Sequence, residues 1–371
     1  MTSARTAPHA ALRGVSVPAD RWQGVDVARA LALVGMMATH VGGIADQVDW
    51  SEPATWAAVA HGRSSSLFAV LAGVSIGLTS GRTSPPGPPV IGRVRGRLAV
   101  RAAVVIAIGL LLMALDTPVY VILPTYGVLF LLAIPVLRVR SGRLLVLAAA
   151  CAVLSPVAAL VTAPAFVGAG TWEAQLGLVY PVVTFLAYVL VGLALVRSGI
   201  GRRPVQVVSL AVGAAVATVA YVVGVVLAPV PGGVALLPGV PSPGRGSTPA
   251  EALAQVLLSP RDHSSSIVDV VGTAGVAVAV IALCTLVFDG RAHVVRRLAS
   301  PLAAVGAMPL TVYAGHIVVL AFLPEFPASG AAWCWFVVGS VLFAVVWRSF
   351  LGRGPLERLT AMLTRLVPDP R

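Results

Sequence analysis

Ten apolar stretches recur along the chain, at about 25–44, 62–80, 99–116, 121–137, 144–163, 177–196, 204–228, 266–288, 302–322 and 332–351. A helix needs roughly 20 apolar residues to cross a bilayer, so each stretch is a candidate span. The fourth is short and holds Pro124 and Pro135, which predicts a broken or tilted helix. Only 11% of the 371 residues are charged and 58% are hydrophobic, against about 25% charged in an ordinary soluble domain. A soluble enzyme, a disordered protein and a coiled coil are therefore excluded. The expected class is all-α: a polytopic membrane bundle of about ten transmembrane helices. Its expected organisation is a tail over 1–20, one transmembrane domain over 21–355 and a second tail over 356–371.

The net charge is +12, and all 26 basic residues are arginine. This charge does not indicate a nucleic-acid partner, because the arginines sit in short loops between apolar runs. Such residues resist translocation and collect on the cytoplasmic side. With the N-terminus placed in the cytoplasm, only Arg63, Arg245 and Arg261 fall outside. Ten spans then return the C-terminus to the cytoplasm. The first apolar run, from Val25, reads as an uncleaved anchor. Cys151, Cys284 and Cys334 lie in apolar runs without metal spacing, and read as small buried residues. The outer segment 229–262 is rich in Pro and Gly and reads as loop, too broken for helix. The inner segment 81–92 is similar, and leads into Arg93, Arg95 and Arg97.

Ionisable residues inside spans are costly and tend to mark sites. Four groups stand out. Asp26 and Arg29 are one helical turn apart and able to pair. His40 shares the face of Arg29, about 16 Å further along the helix. The second group is His61-Gly62-Arg63-Ser64-Ser65-Ser66, at the outer start of the second stretch. Arg261-Asp262-His263-Ser264-Ser265-Ser266, with Asp269 a turn deeper, echoes it and suggests a weak internal duplication. The fourth group places Tyr313 and His316 on one face of the ninth stretch.

Four of the six histidines, His40, His61, His263 and His316, are thus expected near the outer leaflet. Acids expected there include Asp46, Asp49, Glu52, Asp116, Glu173, Asp262, Asp269 and Glu325. A histidine beside a carboxylate suits general-base chemistry. It also suits a proton relay. No metal-ligand spacing occurs, and no metal is expected.

The stretch Arg21-Trp22-Gln23-Gly24-Val25-Asp26-Val27-Ala28-Arg29, with Phe68 and Gly73-Val74-Ser75, resembles the catalytic domain of heparan-alpha-glucosaminide N-acetyltransferase and its bacterial relatives. Gly306-Ala307-Met308-Pro309-Leu310-Thr311-Val312-Tyr313 and Gly354-Pro355-Leu356-Glu357 resemble YeiB-type proteins of unknown function. The resemblance covers about the first 80 and the last 70 residues. It implies an integral membrane acyltransferase that moves an acyl, chiefly acetyl, group from cytoplasmic acyl-CoA to an extracytoplasmic acceptor such as a glycan or envelope lipid.

The eukaryotic relative's catalytic histidine falls at Asp49-Trp50-Ser51-Glu52-Pro53, which holds no histidine here. The base is then expected to be His61, with His40 as second candidate. Asp26, Arg29, Arg93, Arg95 and Arg97, with Arg101, would serve acetyl-CoA, the arginines through guanidinium–phosphate pairing. Arg63, Ser64, His263, His316 and Tyr313 would line the acceptor pocket. A proton-coupled transporter or exporter is the alternative reading. The arginine-, alanine- and glycine-rich composition suggests a bacterial plasma membrane, and leaves a homo-oligomer open.

Overall fold

The computed structural model describes residues 22–45, 48–49, 51–88, 90–162, 180–228, 248–290, 293–323 and 327–368. Residues 1–20, the 229–247 part of the outer loop, and Asp46, Trp50, Glu173 and Glu325 lie outside the described residues. Among the described residues all regular structure is helical: α1 Gln23–Val41, α2 Arg63–Thr79, α3 Val90–Met113, α4 Leu123–Ala133 and α5 Ser141–Thr162. There follow α6 Val182–Arg197, α7 Arg203–Leu227, α8 Pro249–Leu258, α9 Ile267–Phe288 and α10 His293–Leu298. The last four are α11 Ser300–Ala307, α12 Pro309–Ala321, α13 Gly330–Leu351 and α14 Pro355–Thr364.

Each of the ten apolar stretches coincides with a helix or a helix pair, but not every one is a full span. Six are long and apolar enough to cross a membrane alone: α1, α3, α5, α7, α9 and α13. The ninth stretch is a pair, α11 and α12, bent by 82° at Met308. Pro309 brings no N–H and its ring clashes with the preceding turn, so one straight helix cannot form. Helices α2, α4 and α6 have 17, 11 and 16 residues. α2 and α6 are buried on nearly every side. Helices ringed by protein need not cover the whole hydrocarbon layer, because neighbours satisfy their ends.

Two further departures have local causes. Residues 249–258 form a helix inside the segment expected as loop, because Thr248 and Glu251 make a capping box and Pro249 suits the first helical position. The expected C-terminal tail contains α14, packed on α3 and α12.

α1 runs through the centre and touches α2, α9, α11, α12 and α13. α2 and α6 cross closely at Gly73 and Gly192. A Cβ on Gly73 would strike the Val189 carbonyl, and one on Gly192 would strike the Val70 carbonyl. Small residues at a crossing let two backbones approach, which lipid does not otherwise favour. Arg197, at the end of α6, donates to the carbonyls of Gly77, Ser80, Arg82 and Leu137 and to the Ser80 hydroxyl. It thereby ties the ends of α2 and α4 to α6. Trp22 lies under the Arg82 guanidinium, and Gln23 donates to the Arg296 carbonyl. These contacts gather the arginine-bearing helix ends at one end of the bundle. His40, His61, His263 and His316 lie toward the other.

Candidate active site

A cavity of about 380 Å³ opens between α1, α2, α3, α4, α12 and α14. Its wall is mostly apolar, with Arg29, Ser75, Arg101, Tyr126, Tyr313 and Glu357 as its main polar groups. The two stretches that carried the family resemblance, far apart in sequence, thus meet in one wall.

The break before Pro309 builds one side of it. Ending α11 and restarting as α12 leaves N–H groups without partners at the start of α12. Glu357 of α14 fills them. Its carboxylate accepts from Leu310 N (2.8 Å), Thr311 N (3.2 Å) and the Thr311 hydroxyl (2.5 Å). A carboxylate at a helix N-terminus is also favoured by the helix dipole. Gly306 lies so close to α1 that a Cβ would strike the Asp26 carbonyl. The 306–313 and 354–357 motifs are therefore one interlocked unit seated on α1.

Asp26 and Arg29 pair as their spacing predicts, at 2.8 Å. Arg29 also donates to Ser75 Oγ at 2.9 Å, which fixes its guanidinium on the cavity wall. Arg101 lies across the cavity with its guanidinium 5.7 Å from the Phe130 ring. Arg93, Arg95 and Arg97 project from the first two turns of α3 and line no part of the cavity. Arg95 and Arg97 are exposed and Arg93 is half-buried.

Tyr313 forms the far part of the wall, and its hydroxyl accepts from Ile122 N at 3.2 Å. Its ring meets His316 edge-on, with centroids 5.2 Å apart. His316 in turn stacks on His40, with Nε2 of His316 3.0 Å from Nδ1 of His40 and the rings 10° from parallel. His316 Nδ1 is buried with no hydrogen-bond partner among the described residues. Either nitrogen of the His316–His40 pair can donate, according to the tautomer.

His61 and His263 belong to a separate layer. His61 Nε2 lies 3.1 Å from the Ala45 carbonyl. The segments that lead into the two serine triplets meet: a Cβ on Gly62 would lie 2.9 Å from Asp262 Cβ and 3.4 Å from the His263 ring. Burial holds the His263 imidazole below its ordinary value, helped by His61 and Arg63 and opposed by Asp262. Arg63 lies 5.1 Å from the Tyr221 ring, whose hydroxyl is 2.8 Å from Thr273 Oγ1. Thr273 donates to the buried Asp269 carboxylate at 3.2 Å. Ser64 is buried against Gly35 of α1. In the 49–53 stretch, Asp49 is exposed and accepts from the Ser51 hydroxyl (2.6 Å) and N–H (2.9 Å). Those bonds hold its carboxyl below the usual range.

Sequence reasoning passed over Tyr126 and Phe130. Tyr126 donates to the Ser65 carbonyl at 3.0 Å and meets Phe68 edge-on. Both lie on the proline-bearing short helix, and a tyrosine inside an apolar stretch was the available signal. Glu357 entered only as part of a motif, although it is one of few acids at the basic end.

No curated protein matches the chain significantly. A family described as protein of unknown function (DUF418) matches residues 251–366, the part that supplies α9 to α14. The catalytic family of heparan-alpha-glucosaminide N-acetyltransferase matches residues 21–225, more than half of the chain and the part that supplies α1 to α4 of the cavity. The chain therefore belongs to the heparan-alpha-glucosaminide N-acetyltransferase catalytic family of membrane acetyltransferases.

Proposed function

We propose that the protein transfers an acetyl group from acetyl-CoA, entering at the arginine-rich end, to a polar acceptor at the histidine-bearing end. One observation carries this reading. The cavity begins at Arg29 and Arg101 and ends at Tyr313, directly in front of the His316–His40 pair. The positive-inside rule puts the arginine-rich end in the cytoplasm, where acyl-CoA is made. Ligand pockets span about 300–1,000 Å³. A cavity of about 380 Å³ takes the slender thioester arm and leaves the nucleotide at the mouth. Arg29 and Arg101 pair there with its phosphates.

At the far end, His40 Nε2 takes the proton from the acceptor's N–H or O–H. The acceptor heteroatom attacks the thioester carbonyl, the C–S bond breaks, and the CoA thiolate leaves and takes up the proton. Tyr313 already accepts from Ile122 N, so its own O–H is free to donate to the developing oxyanion. Arg63, Ser64, His61 and His263 form the polar layer that receives a hydroxyl- or amine-bearing acceptor, such as a glycan or envelope lipid. The setting is a bacterial plasma membrane.

Calorimetry of acetyl-CoA with detergent-purified protein at low and moderate salt tests this reading. Saturable binding that weakens with salt is the expected result, since screening weakens phosphate–arginine pairing. No binding of any acyl-CoA would overturn it and move proton-coupled transport to first place.

A further inference from the structure

α14 covers the basic-end mouth of the cavity and presents three distinct faces. Thr360, Ala361 and Thr364 line the cavity, and Glu357 on the same side is bonded to the start of α12. On the opposite side Leu359, Met362 and Leu366 are 38%, 58% and 75% exposed. Leu359 and Met362 lie one turn apart on α14, and Leu366, in the turn just past its end, continues the ridge. Arg358 and Arg365, two turns apart and exposed, run along one border of that ridge. The acid of this helix, Glu357, is turned inward, so its outward charge is positive. Helix α3, on which α14 packs, adds exposed Arg95 and Arg97, and Val367 reaches within 3.0 Å of a Cβ position on Gly96.

The helix also starts at membrane level. It follows the end of the spanning helix α13 by four residues. Trp347 near that end donates to the Arg353 carbonyl in the connecting turn at 2.9 Å. A tryptophan with a bonded indole N–H is a usual marker of the membrane–water boundary.

From this geometry we infer that α14 is an interfacial helix. Its Leu359–Met362–Leu366 ridge enters the anionic leaflet of the same membrane, its arginines bind lipid phosphates, and this docking holds its inner face as the lid of the cavity. An apolar ridge bordered by cations fits an anionic bilayer surface. The lid role rests on the donor-side reading above, whereas the docking does not.

The test uses full-length protein in nanodiscs, with Cys151, Cys284 and Cys334 replaced by alanine. A fluorophore on Met362→Cys is exposed to lipid-borne nitroxide and to aqueous iodide. The expected result, in phosphatidylglycerol nanodiscs, is strong nitroxide quenching and protection from iodide. The Arg358→Glu/Arg365→Glu pair should weaken that docking by roughly tenfold or more. A membrane-impermeant maleimide should modify Thr364→Cys more slowly in phosphatidylglycerol than in phosphatidylcholine. Iodide quenching at Met362→Cys as strong as that of a water-exposed site would overturn the docking. So would protection from both quenchers with cross-linking to a second copy. Equal maleimide rates in the two lipids would overturn the lid. None of these readouts uses acyl-CoA, so a failure of the donor reading is registered separately.

Discussion

His40 Nδ1 lies 3.0 Å from His316 Nε2, and the two residues are 276 positions apart in sequence. The contact joins α1 to the half-helix α12, and in the proposed mechanism it leaves His40 Nε2 as the basic nitrogen. His40→Ala should lower acetyl transfer by about 10²–10⁴-fold, the usual worth of a general base, with acetyl-CoA affinity retained. His316→Ala should lower turnover and change its pH profile, because it removes the partner that fixes the His40 tautomer. His61→Ala should raise the acceptor KM and leave turnover largely intact. Steady-state kinetics with an amine or sugar acceptor separate the three. Loss of turnover in His61→Ala with normal activity in His40→Ala would reverse the assignment.

Arg101 faces the cavity and stacks on Phe130. Arg101→Ala should weaken acetyl-CoA binding roughly tenfold, the worth of one charge-assisted contact at about 1.4 kcal/mol. It should also flatten the salt dependence of binding. Arg95→Ala, at an exposed site away from the cavity, should change affinity far less. Calorimetry at two salt concentrations reads both effects.

Glu357 satisfies two backbone N–H groups and one hydroxyl at the start of α12. Glu357→Ala should destabilise the protein by about 1–3 kcal/mol, because it leaves those donors unpaired. Glu357→Gln keeps an acceptor oxygen and should fall between alanine and the parent. Thermal unfolding in detergent checks the order.

Asp289 follows the end of α9 and accepts from Gly24 N at 2.9 Å. Burial pushes its carboxyl up to about 6, against the pull of the Gly24 and Gln23 N–H groups. A folded-state value above the unfolded one means that the native protein binds the proton more tightly. The resulting stability is present below about pH 4 and is lost as pH rises through about 6. Tm should therefore fall across that window, and Asp289→Asn should remove this part of the dependence. A parallel pH profile in the variant would show that Asp289 is not its source.

The ten apolar stretches were legible because each helix carries its own hydropathy, and the Asp26–Arg29 pair because it lies within one turn. The break at Met308 was only half legible. Pro309 was visible, but an 82° bend also needs Glu357 to stabilise the new helix start, and that partner is 47 residues away. The His40–His316 contact and the placement of Arg101 depend on how helices cross, which no local spacing encodes. The basic run at 93–101 shows the limit clearly. Its charge marks one end of the bundle, yet of its arginines Arg101 alone lines the cavity.

The Arg197 clasp has a consequence for how the protein is made. The Ser80 hydroxyl and the Leu137 carbonyl precede their arginine by 117 and 60 residues. Both leave the ribosome, and their helices enter the bilayer, before that arginine has been synthesised. Until then the carbonyls at the ends of α2 and α4 have no guanidinium to join them. The arrival of α6 is therefore the step that closes this end of the molecule, and a nascent chain halted before residue 197 stays open there.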